Sequence, residues 1–117
     1  NMTVSSGIFT FPSTGIYLIQ GAFRILTGNQ DTTVNVILYA TQDNSSYSSV
    51  SFTSGGNATQ NSSNINETSV SAHIFDVTDT STHKFRFDTE SMGSESFIHG
   101  STGSSQSWFT VIKLAET

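Results

Sequence analysis

GIYLIQGAFRIL, residues 15–26, and SWFTVIKLA, residues 107–115, carry apolar side chains on both sides of an extended chain. Neighbouring side chains of a strand point to opposite faces of its sheet. Tyr17, Ile19, Phe23 and Ile25 therefore share one face, and Ile16 and Leu18 the other. In the second stretch Trp108, Ile112 and Leu114 oppose Phe109 and Val111. A sheet that packs on one core and faces water on its other side alternates apolar with polar residues. These two runs do not alternate. Their second face needs a cover, either another part of the chain or another copy of it.

Working outward, strand signals recur and helix signals are nearly absent. No window sustains apolar residues at i, i+3, i+4 and i+7, and strong helix formers are scarce. GIFTF at 7–11 reads as a short strand, followed by a turn, PSTG, punctuated by Pro12 and Gly15. Gly28, Asn29 and Asp31 mark the next turn before TTVNVILYA at 32–40. YSSVSFT (47–53), SVSAHIFDV (69–77) and HKFRFD (83–88) are further strands. Residues 54–68 and 91–106 are rich in Gly, Asn, Ser and Thr and read as long loops, with Phe97 and Ile98 a short strand or anchor in the second. Seven or eight short strands without helices imply an all-β, two-sheet antiparallel sandwich or jelly roll.

A chain of 117 residues is one domain, 1–117, with a small core. Charged residues make up 11% and the net charge is −5. The four basic residues, Arg24, Lys84, Arg86 and Lys113, are scattered. That argues against nucleic-acid binding, which needs clustered cations to neutralise phosphates. The absence of cysteine removes disulfides, thiolate zinc sites and cysteine nucleophiles together. No run of about 18 apolar residues suggests membrane insertion. No leader is visible, and the start at Asn1 reads as the C-terminal part of a longer polypeptide. Polarity comes from 21 Ser, 17 Thr and 8 Asn rather than from charge. Five sequons begin at Asn1, Asn44, Asn57, Asn61 and Asn66, against about two to three expected by chance from this composition.

GIFTFPSTGIYLI resembles the opening motif of the complement globular-head and tumour-necrosis-factor-like jelly rolls, in which F-T-x-P-x-x-G-x-Y leads into a long inner strand. The matching residues are Phe9–Thr10 or Phe11–Pro12, then Gly15 and Tyr17. WFTVIKLA is similar to that family's closing inner strand. The resemblance is specific at 8–19 and 107–115; between them it follows strand pattern alone. The S-x-F-T-x-I-K-L ending and the Ser/Thr/Asn-heavy composition look most like the versions on tailed-bacteriophage virions.

The resemblance implies a trimer whose inner sheets, with the first and last strands side by side, pack around an axis. It places Phe9, Phe11, Tyr17, Phe109 and Ile112 at the trimer interface. Burial of some 800 Å² per copy would make a standard stable contact.

Candidate chemistry is sparse. His73, His83 and His99 lack H-x-H or H-x-x-x-H spacing and read as structural. Asp76 and Asp79 are candidate calcium ligands, as in some members of that family, but the EF-hand pattern is absent and FDVTDTST reads more simply as a strand-ending turn. No G-x-S-x-G elbow occurs, and no enzyme is expected. Tyr47, Phe97 and His99 are candidate ligand residues on loops, offering rings on which sugars stack.

The expectation is a non-enzymatic trimeric protein on a virion surface, extracellular, decorating a capsid or heading a fibre. It would meet capsid or fibre protein and, through its loops, a host surface glycan or receptor. The alternatives are a secreted animal ligand of the same family, discriminated by glycans on its sequons, and a monomeric carbohydrate-binding module of a larger enzyme.

Overall fold

The computed structural model describes residues 1–28, 31–58 and 64–117. Within them the chain forms nine strands and no helix: β1 (Thr3–Ser5), β2 (Ile8–Thr10), β3 (Gly15–Thr27), β4 (Val34–Thr41), β5 (Ser48–Gly55), β6 (Ile65–Val77), β7 (Lys84–Glu90), β8 (Phe97–Ile98) and β9 (Trp108–Ala115). Two antiparallel sheets result. One runs β1-β2-β7-β4-β5; the other centres on β3, with β6 on one flank and β9 and β8 on the other.

The core follows strand parity. Tyr17, Ile19, Phe23 and Ile25 of β3 point inward against Val34, Val36, Leu38 and Ala40 of β4 and Phe85 of β7. Phe85 is fully buried, its ring 5.0 Å from Phe9, 5.5 Å from Phe11 and 6.2 Å from Phe109. Such aromatic clusters contribute beyond the area they bury because edge-to-face and offset rings attract.

Two turns have specific causes. Ser6 and Gly7 both adopt positive φ (50° and 77°) between the paired residues Ser5 and Ile8. That is a two-residue primed hairpin turn, whose twist matches the strands it joins. Strand β1 was not expected from the sequence; this hairpin creates it. Gly15 has φ +150°, and a Cβ there would come within 2.9 Å of the Ala115 carbonyl oxygen. Only glycine lets β3 begin beside the end of β9.

The sheets differ in width. Opposite five strands, the β3 sheet is three strands wide, so β1 and β2 overhang at the β9 side. There Met2, Val4, Phe9, Phe109 and Val111 line an apolar groove of about 330 Å³. At the other side Ser69 Oγ donates to the Ser54 carbonyl (2.8 Å), tying β6 to β5.

Candidate interaction surface

The outward face of the β3 sheet is apolar over most of its length. In register, Ile74, Leu18 and Ile112 form one row across β6, β3 and β9. Ala72, Gln20 and Thr110 form the next, and Val70, Ala22 and Trp108 the third. Ile74 is 62% exposed, Val70 60%, Ile112 48% and Trp108 42%. Farther along, Phe97 of β8 pairs with Leu26 and is 45% exposed. Arg24, bonded through its guanidinium to Gln106, and Thr68 interrupt the patch before Leu26. At the opposite end Asp76 accepts a hydrogen bond from Thr117 Oγ1 (2.5 Å). Nothing in the described chain covers this face. Exposed apolar side chains gathered on one face of a sheet are the kind of surface that interaction sites use.

The structure redistributes the residues expected at the interface. Ile112 lies on the open face. Phe11 and Tyr17 do not: they are 3% and 4% exposed and belong to the core. Tyr17 pairs with Phe75 on the inner side, packs its ring 4.7 Å from that of Phe11, and donates its hydroxyl hydrogen to Ser13 O (3.0 Å). Neither side chain can meet another copy. Phe9 is half-buried against the same core. Phe109 also points inward, 5.3 Å from Phe87 and 5.0 Å from Phe9, and keeps 38% exposure because β9 ends its sheet. The outward residues of β6 that complete the face, Val70 and Ile74, were missed. The signal was present: in SVSAHIFDV they alternate with inward residues just as Leu18 does with Tyr17.

The loop candidates separate. Tyr47 lies under the Arg86 guanidinium, 4.3 Å from its ring centroid, and Tyr39 lies 5.3 Å away on the same cation. One face of its ring is engaged by cation–π attraction. Phe97 and His99 are neighbours, with centroids 5.5 Å apart, and the His99 amide donates to Arg24 O (2.8 Å). His83 is buried, close to Thr78 and Thr82.

Asp79 accepts hydrogen bonds from the amide and hydroxyl of Ser81 (2.8 and 2.6 Å), which hold its carboxyl below the usual range. Among the described residues no group of three or more His, Asp or Glu is arranged to hold a metal ion. Asp76 and Asp79 have separate partners, Thr117 and Ser81: Asp76 sits within β6, paired with Ile16, and only Asp79 lies in the turn that follows the strand.

The sequons differ in access. Asn44 and Asn66 are exposed, whereas Asn57 is fully buried and its side-chain amide donates to Thr27 O (3.3 Å). A glycan on Asn57 is incompatible with this fold. The turn position Asn29, Thr59 of the Asn57 sequon, and the sequon at 61–63 lie outside the described residues.

A second feature lies on the β5–β6 side. A cleft of about 630 Å³ opens between the 42–48 segment and β6, lined by Gln42, Asp43, Ser48, Val50, His73 and Asp76 among others. Asp43 Oδ1 accepts the amides of Ser45 (2.9 Å) and Ser46 (2.7 Å) and the Thr41 hydroxyl (2.9 Å). These bonds lower its pKa from 3.8 to about 2. Burial lowers that of His73, keeping the imidazole neutral near pH 7.

No family model matches the chain, and no curated protein matches it.

Proposed function

We propose that this chain is a non-enzymatic, trimeric jelly-roll domain displayed on a phage virion, as a capsid decoration or a fibre head. One observation carries the assembly: the apolar outward face formed by Val70, Ile74, Leu18, Trp108 and Ile112, which nothing in the described chain covers. Two further features support a jelly roll of the globular-head kind. The first long strand, β3, lies beside the last, β9, and chain neighbours such as β3 and β4 fall in opposite sheets. Support for the virion setting comes from the closing-strand resemblance and the cysteine-free, Ser/Thr/Asn-rich composition.

In this reading three copies bury the outward faces of their β3 sheets around an axis, and the loops face outward. Repeating a weak loop contact three times on one particle raises avidity through effective concentration. The test mixes two versions of the chain carrying different tags and refolds them together. Cross-linked species holding both tags at trimer mass, and binding of the trimer to particles lacking it, support the proposal. Chains that remain single at micromolar concentration refute it.

A further inference from the structure

We propose that the cleft between the 42–48 segment and β6 binds a neutral saccharide. The site deepens the ligand-binding half of the reading above and rests on that half alone; it does not require the trimer. Its volume, about 630 Å³, lies in the range of small-molecule sites. Its walls are placed by three strands: Ala40 lies near the end of β4, Ser48 and Val50 begin β5, and His73 to Asp76 belong to β6. The intervening loop is fixed by the Asp43 bonds and by the Asn44 amide donating to Thr82 O (3.0 Å). The cleft is therefore formed before any ligand arrives, which reduces the ordering cost of binding.

Its chemistry selects the ligand class. The His73 imidazole makes no hydrogen bond among the described residues, and as a neutral ring it offers one donor and one acceptor. The Ser48 hydroxyl is likewise unengaged there. Asp76 has given one oxygen to Thr117 and keeps the other. Carboxylates, an imidazole and the apolar side chain of Val50 lining one cleft suit a sugar ring, with hydroxyls on its rim and C–H groups on its faces. The lining holds no Lys or Arg, and its two carboxylates repel anions, so sialylated and sulfated sugars are disfavoured. Among the described residues no group of three or more metal-ligating side chains is arranged to hold a cation.

The experiment is a titration of the whole chain, isotope-labelled, with glucose, galactose, mannose, N-acetylglucosamine and their disaccharides, and with sialyllactose as the acidic probe. Amide shifts at 42–48 and 73–76 with at least one neutral sugar, and none with sialyllactose, are expected. Ser48→Tyr fills the cleft from an exposed strand position and should weaken binding about tenfold or more; His73→Ala should weaken it about fivefold. Folding of each variant is read from the same spectra. Absence of shifts with every neutral sugar in the millimolar range, shifts centred on Phe97 and His99, or unchanged affinity in a folded Ser48→Tyr would overturn the site. Native mass measured on the same samples separates the two proposals. A trimer that ignores sugars contradicts only the cleft, and a sugar-binding monomer contradicts only the assembly.

Discussion

Leu18 and Ile112 stand directly opposite each other across the β3–β9 ladder, and both point away from the core. Ile74 flanks Leu18 on β6, so three branched aliphatic side chains form one row on the outside of the sheet. Fully burying such a side chain is worth about 1.5–3 kcal/mol relative to leaving it in water. Several half-exposed ones in register amount to a driving force for association, offset by the cost of fixing the copies relative to one another.

Ile112→Asp should leave the chain folded and single. Ile112 is half-exposed on a flanking strand, so the monomer should lose no more than about 0.5 kcal/mol. In the proposed trimer three desolvated carboxylates near the axis would each need pairing that the face does not supply. Sedimentation velocity beside a urea melt reads both quantities, and an unchanged sedimentation coefficient would count against the surface.

Tyr17→Phe should do the reverse. It removes the hydrogen bond to Ser13 but keeps the ring in the core, costing about 1 kcal/mol. Because Tyr17 is internal, the assembly state should not change. A shift in native mass would return Tyr17 to the interface.

Gly15→Ala should destabilise by about 1–3 kcal/mol, since its φ of +150° is closed to residues with a Cβ. The loss should appear first as faster amide exchange in β9, because the added methyl presses on the Ala115 carbonyl and the Lys113 side chain. Exchange that speeds up uniformly would contradict this local account.

Acid should weaken the fold in two steps of the same sign. The folded pKa of His73 lies below its ordinary 6.5, so the unfolded chain takes up the proton more readily, and stability falls as pH drops through the unfolded value. The Asp43 value, about 2 against 3.8, contributes stability present above about pH 4 that disappears as pH falls toward 2. Asp43→Asn should flatten the lower step in a plot of urea midpoint against pH, and His73→Gln the upper. A midpoint that rises on acidification would be incompatible with both.

Much of this architecture was legible because period-two patterns carry it. The two-faced composition of 15–26 and 107–115 pointed to a second surface needing cover, and the parity that separates Tyr17 from Leu18 holds in the structure. Which parity faces inward was another matter. The family likeness placed Phe11 and Tyr17 at a contact between copies, whereas the aromatic cluster around Phe85 draws them into the core. Strand β6 begins at Ile65, inside a stretch expected to be loop. Its first residues, Asn66, Glu67 and Thr68, are polar and give no alternating signal, although they pair with Leu26, Ile25 and Arg24. The Ser6–Gly7 turn was readable in principle as a hairpin signal, but Thr3–Ser5 is too short to register as a strand. The cleft depends on residues from separate strands and a loop, a juxtaposition that no local pattern encodes.

Sedimentation equilibrium of the unmodified chain at micromolar concentration tests the central claim most directly. The outward face predicts association, and the proposed trimer a single species of three 12.6 kDa chains. A species of one chain, stable across the concentration range with Val70, Ile74 and Ile112 still open to solvent, would contradict it.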